Sequence, residues 1–135
     1  MNSEIKKKIE DCCEFTSQKF EHCEYLESNH RRFLARSLRR AGFKFVYEEI
    51  PIVYIDGIDP VPFGHGFIDI AIVIPKRGAI LLELKITQRD ASRQLAKYLK
   101  HWKYSEVLCG FTINFFNNGV KLCMYDDEGD SELRS

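Results

Sequence analysis

The chain lacks any run of eighteen or more apolar residues, so no segment reads as a membrane-spanning helix. Its first residues, MNSEIKKKIEDCC, hold no apolar stretch of the secretory kind, which makes a soluble, intracellular protein the expectation, in cytoplasm, nucleus or a viral factory. Cysteine is sparse and odd in number: five residues without framework spacing argue against a disulfide scaffold and suit a reducing compartment. Net charge is absent too. Twenty basic and twenty acidic side chains cancel, so bulk charge implies no polyanionic partner. Repeats and low-complexity tracts are missing, and 135 residues suffice for one core but not for two ordinary domains.

Charge is nevertheless distributed unevenly. The last ten residues, DDEGDSELRS, hold five acids and one arginine, −4 in all, which leaves +4 on the 125 residues before them. The reading is a single, mildly basic domain over residues 1–125 and an acidic, flexible tail over 126–135.

Residues 3 to 20 place Ile5, Ile9, Cys12, Cys13, Thr16 and Phe20 at spacings of three and four, one face of an amphipathic helix. A second helix runs from about Leu26 to Ala41, with Leu26, Phe33, Leu34 and Leu38 inward and Arg31, Arg32, Arg36, Arg39 and Arg40 largely outward. Gly42 stops it. FKFVYEEIPIVYID then shifts to strand chemistry, with Pro51 fitting an edge or a bulge. GIDPVPFGHG, 57–66, reads as a loop. FIDIAIVI (67–74) and AILLELKI (79–86) form a hairpin around PKRG, and both strands read as buried on two faces. Thr87 and Asp90 make a T-x-x-D cap for a helix to about Tyr104, striped by Ala91, Leu95, Tyr98, Leu99 and Trp102. VLCGFTINFF and VKLCMY close the chain as a hairpin about the NNG turn, 117–119. The expected fold is α/β, a central mixed or antiparallel sheet flanked by helices in the order α-α-β-β-β-α-β-β.

Three charges interrupt the central hairpin: Asp69 in one strand, Glu83 and Lys85 in the other. An ionised group buried alone is strongly unfavourable, so these positions need a reason. Alternation puts Glu83 and Lys85 on one face with Ala79 and Leu81. With the turn over 75–78 and Ile74 near Ala79, Asp69 falls opposite Leu84, within one residue, and so beside Glu83 at a Cβ separation of roughly 5 Å. Carboxylates that close repel unless one takes a proton or a cation lies between them. A divalent ion with oxygen ligands does the latter, and Lys85 can orient a water or stabilise charge on a phosphorus-bound oxygen. The set points to metal-assisted hydrolysis of a phosphodiester. It also fits a structural Asp69 to Lys85 or Glu83 to Lys85 pair inside an ordinary core. The group Cys12, Cys13, His22 and Cys23 lacks the paired spacing of structural zinc, and its cysteines read as core residues.

Asp69, then Glu83-Leu84-Lys85, then a helix resembles the order of motifs in the PD-(D/E)XK nuclease superfamily. Gln94-Leu-Ala-Lys-Tyr98 is similar to the Q-x-x-x-Y element of its RecB-like branch. YLESNHRRFLARSLRRAGF resembles the first-helix segment of its GxxExxY group, and GFTINFFNNGVKL that group's closing hairpin. The resemblance covers about residues 5–125. It departs at Glu24, where the group has glycine, at His30, where it has tyrosine, and at EHCEY, which replaces a Leu-Gly-Pro-Gly break.

The resemblance implies a restriction-endonuclease-like core acting as a Mg2+- or Mn2+-dependent deoxyribonuclease in nucleic-acid processing or repair. It implies that Asp69, Glu83, the Leu84 carbonyl and Glu27 hold the ion, that Lys85 positions or helps deprotonate the attacking water, and that Gln94 helps hold the site and its phosphate. DNA is the implied partner, with contacts from Tyr98, Lys97 and His65, and a second copy or a partner protein supplies specificity. A catalytically silent nuclease-fold module for nucleic-acid binding or protein assembly is the alternative. Without the resemblance, Tyr98 is a core aromatic, His65 a solvated loop histidine, and the arginines and lysines of the two helices fit either phosphate contact or a solvated charged face.

Overall fold

The computed structural model describes residues 2–20, 27–55, 62–86, 89–126 and 131–132, with the backbone alone at 54, 55, 62–65, 131 and 132. Asn2 opens the first helix, α1 (Ser3–Lys19), because its Oδ1 accepts the amides of Glu4 (2.6 Å) and Ile5 (3.4 Å), donors that have no partner inside the helix. The second helix, α2 (Glu27–Arg40), stops at Gly42, whose φ of +111° is left-handed and whose amide turns back to the Arg39 carbonyl at 3.1 Å. Ile9, Cys12 and Cys13 of α1 and Leu34, Ala35 and Leu38 of α2 are buried in one cluster, so Cys12 and Cys13 are core residues. Phe33, expected inward, is half-buried. Its ring fills the seam between the helices, 5.4 Å from Phe15 and 5.6 Å from Phe20.

The sheet follows as β1 (Phe45–Ile55), β2 (Pro62–Ile74), β3 (Gly78–Lys85), then α3 (Ser92–His101), β4 (Val107–Phe116), β5 (Gly119–Tyr125) and the two-residue β6 (Ser131–Glu132). Spatial order equals chain order, and the neighbours are antiparallel except β3 and β4, which run parallel because α3 carries the chain back across the sheet. Helices α1 and α2 pack on Ile70, Ile72, Ile80, Leu82 and Leu84, while Leu95, Tyr98 and Leu99 of α3 cover Ala71, Ala79 and Leu81 on the other face. The fold is therefore α/β, a mixed sheet between helices, in the expected element order with β6 added. β3 is covered on both sides, which is why its sequence is almost continuously apolar. Among the described residues no helix is long and apolar enough to cross a membrane.

Four boundaries differ from expectation. The β2–β3 turn uses three residues, with Arg77 N–H bonded to the Ile74 carbonyl at 3.0 Å and Ile74 paired with Gly78. The register moves by one residue, and Asp69 faces Glu83 rather than Leu84. Second, Gly64, His65 and Gly66 belong to β2, opposite Tyr54, Val53 and Ile52, because ladder hydrogen bonds to β1 outweigh the weak strand preference of glycine. Third, α3 spans Ser92–His101, shorter at both ends than expected. Asp90 Oδ1 takes the Ser92 amide at 2.9 Å, and Thr87 lies outside the described residues, as do His22 and Cys23. Fourth, the tail is not wholly free, since Ser131 and Glu132 pair with Tyr125 and Met124 on the open edge of β5.

β1 forms the other edge. Its register with β2 is the same on both sides of Glu49, yet Glu49 has φ +53° and the faces exchange there. Val46 packs with Ile70 and Ile72, whereas Ile50 and Ile52 pack with Ile68 and Ala71. Both strands turn over at the row that holds Glu49 and Asp69. Two β1 carbonyls are occupied by side chains: Val46 O accepts from Arg39 Nη2 and Pro51 O from the Tyr104 hydroxyl, each at 2.8 Å.

Candidate active site

Continuing the β2–β3 register from Ile70 and Leu82 sets Asp69 directly across from Glu83. Asp69 Oδ2 accepts the Leu84 amide at 2.7 Å, so the carboxylate takes the place of a strand partner at the end of the ladder. Glu83 is 3% exposed, and its Oε1 is buried with no hydrogen-bond partner among the described residues. Burial, then the neighbouring Asp69 charge, pushes the Glu83 carboxyl up to about 9, against the opposing charge of Lys85. Burial also raises Asp69, opposed by the Leu84 amide, by a hydrogen bond with Glu83, and by Lys85 and Arg31. Both carboxyls are raised, Glu83 the more strongly, so burial and mutual repulsion disfavour two ionised carboxylates side by side.

Lys85 ends β3 on the Glu83 face, and its charge opposes the rise of Asp69, Glu83 and Glu27 alike. Glu27 stands in the first turn of α2. Burial raises its carboxyl first and Asp69 second, with Lys85, Arg31 and Arg89 opposing. Glu27 thus lies within the field of the pair. Among the described residues no three His, Cys, Asp or Glu side chains gather closely enough to hold one ion.

Gln94, in the first turn of α3, is exposed and donates its Nε2 to the Tyr98 hydroxyl at 2.8 Å. The spacing of four residues brings the two side chains together as expected. Tyr98 itself is 1% exposed and sits in the core under α3, so the expected contact with nucleic acid is closed to it; it anchors Gln94 instead. Lys97 is exposed but lines a cavity with Lys100, Trp102 and Glu106, away from the carboxylates. His65 lies on β2 rather than in a loop, and its side chain is outside the described set.

Arg31 was expected on the solvated face of its helix and is instead only 13% exposed at its side chain. Its Nε meets Glu48 Oε1 at 3.3 Å and its Nη2 meets Glu49 Oε1 at 3.0 Å, while its charge acts on both Asp69 and Glu27. A left-handed residue with a side chain costs about 1 kcal/mol or more, and the Arg31 bridge holds Glu49 in that conformation, opposite Asp69. No helical periodicity distinguishes such an arginine from its outward neighbours. The only available signal was EE directly before IP, an acidic pair inside an otherwise apolar strand.

No protein-family model matches the chain. No curated protein matches it. Among solved structures the chain is similar to SSO0001, with a TM-score of 0.49 and 17% identity over 93% of this chain and 77% of that one.

Proposed function

We propose that the chain is a divalent-metal-dependent nuclease that hydrolyses phosphodiester bonds of DNA, in keeping with the resemblance of its motifs to the PD-(D/E)XK superfamily. The observation that carries this reading is the buried Glu83 Oε1, a hard oxygen donor without a partner among the described residues, placed beside Asp69 and Lys85. A cation suits that donor set, because Mg2+ needs only one or two carboxylates and completes its shell with water. Asp69, Glu83 and the Leu84 carbonyl are the groups that would hold it, with Glu27 near enough to add negative charge. A bound Mg2+ or Mn2+ neutralises a phosphate oxygen and lowers the pKa of a water.

The remaining chemistry belongs to the chain. The Leu84 amide fixes the Asp69 carboxylate in one orientation. Lys85 holds the anionic oxygen of a phosphate or orients the attacking water by donating to it. Gln94, kept in one rotamer by Tyr98, presents its amide at the N-terminal end of α3. Protein purified free of metal should cut a DNA substrate only after Mn2+ is added, and Lys85→Ala should remain folded and inactive. If no single-stranded, duplex, branched or RNA substrate is cut, the hydrolytic reading is wrong. The other reading is a silent nuclease-fold module, whose mark is nucleic-acid binding without metal and without cutting.

A further inference from the structure

Three openings share their walls, two at the opposite end of β3 from Glu83 and one along β1 that spans the row of Glu49 and Asp69. A cavity of about 670 Å³ lies between the later turns of α3 and residues 105–107, lined in part by Lys97 and Lys100. A second of about 350 Å³ is walled by Tyr47, Pro51 and Tyr104, and a third of about 210 Å³ by Lys76 and Arg77. Trp102 borders the first two, Val73 the second and third, and Glu106 the first and third, so the openings form one surface. Its position is fixed by the Ala79 amide, which donates to the Glu106 carbonyl at 2.8 Å. Glu83 and Lys85 lie about 13–20 Å further along the strand.

Two properties of this surface differ from the rest of the chain. Lys76, Arg77, Lys97 and Lys100 line it against a single described acid, Glu106, giving +3 in a chain whose net charge is zero. The potential is felt by His101, whose imidazole is held below its ordinary range by burial and then by Lys100, Lys103 and Lys97. Two aromatic rings are also open, and one of them, Tyr104, is fixed. Tyr104 is 62% exposed, yet its hydroxyl is tied to the Pro51 carbonyl at 2.8 Å and its ring meets Trp102 edge-on at 4.8 Å. Trp102 is held in turn by its Nε1 bond to Ser105 Oγ at 3.2 Å, and Tyr47 is 45% exposed. An exposed ring already locked in one orientation loses little further freedom when something stacks on it.

We propose that this surface binds single-stranded nucleic acid, stacking bases on Tyr104 and Tyr47 and holding phosphates with Lys97, Lys100, Lys76 and Arg77. Cations interleaved with rigid, sequence-tolerant stacking platforms are the recognition chemistry of an unpaired strand. An acidic protein would use the lysines and leave the rings unmatched, and a duplex keeps its base faces inside its own stack. The lysines of the first opening and the Lys76–Arg77 turn lie at the other end of β3 from Glu83, and the inference holds for a chain that cuts nothing.

The test is fluorescence anisotropy with a fluorescein-labelled oligothymidylate of about twelve nucleotides, in EDTA, across a salt series. Four phosphate contacts give a slope of log K against log salt of about −3. Tyr104→Ala should weaken binding by roughly tenfold at unchanged slope, and Tyr104→Phe, which keeps the ring, should bind within about twofold of the parent. Replacing Lys97 and Lys100 together by alanine should reduce the slope by about 1.4. The proposal is overturned by absence of oligothymidylate binding at low salt or by Tyr104→Ala binding like the parent. Equal affinity for a duplex of the same length, indifferent to Tyr104→Ala, means phosphate contact alone and also overturns it.

Discussion

Replacing Glu83 with glutamine should stabilise the metal-free protein at alkaline pH. The folded chain raises this carboxyl from an ordinary 4.5 to about 9, so between those values the native state holds a proton that the unfolded chain has released. Stability on this account is fully present below about pH 4.5 and is lost as pH rises towards 9, with a slope near 1.4 kcal/mol per unit for a single proton. From pH 5 to pH 8 the upper bound is about 4 kcal/mol; relaxation around the pair and sharing of charge with Asp69 bring the expected loss to about 2 kcal/mol. Glutamine has nearly the same shape, can donate to Asp69 as the protonated acid does, and does not titrate. Urea unfolding in EDTA at pH 5, 6, 7 and 8 should therefore show parent and variant close together at pH 5 and the variant ahead by about 2 kcal/mol at pH 8. Parallel pH profiles, or a variant less stable than the parent at pH 8, would refute the assignment of the retained proton to Glu83. The same variant should lose Mn2+-dependent cutting, so stability and activity are expected to move in opposite directions.

Arg31→Met removes the partner of Glu48 and Glu49 and should destabilise the fold by about 2 kcal/mol in urea unfolding; a change within error would mean that the bridge does not hold the Glu49 conformation. Gly78→Ala places a Cβ 2.7 Å from the Glu106 carbonyl oxygen at φ +142°, and should cost about 2 kcal/mol, read by calorimetry as a melting point lower by roughly 5–10 °C. An unchanged melting point would count against the close approach of the β2–β3 turn to residue 106. Tyr98→Phe keeps the buried ring and removes the acceptor for Gln94, so stability should fall by about 1 kcal/mol or less while the single-turnover cutting rate drops several-fold. Equal rates for parent and Tyr98→Phe would remove Gln94 positioning from the mechanism.

The acidic pair was legible because charge stands out against an apolar strand: Asp69 and Glu83 are conspicuous in FIDIAIVI and AILLELKI whatever the exact register. The register itself was not, since it depends on Lys76 adopting a left-handed conformation (φ +68°) in a three-residue turn, which nothing in a lysine announces. The same limit applies at Glu49. Its left-handed backbone exchanges the faces of β1 and β2, and an alternating pattern read along either strand assumes that no such exchange occurs. Arg31 escaped for a different reason. Its partners lie 17 and 18 positions away on another element, and a helical stripe records only what faces the core of its own helix. Gln94 and Tyr98 were legible as a pair because their interaction is local, four residues apart on one helix.

The two side chains that occupy β1 carbonyls give this edge a role in solubility. An eleven-residue outer strand bearing Phe45, Tyr47 and Val53 exposed would ordinarily template a neighbouring chain and seed fibres. Arg39 and Tyr104 fill the acceptor positions at Val46 and Pro51, and Pro51 offers no amide, so an incoming strand meets gaps in its ladder at both places. Removing these guards together, rather than loosening the core, is the change that would turn the chain towards sheet-propagated aggregation.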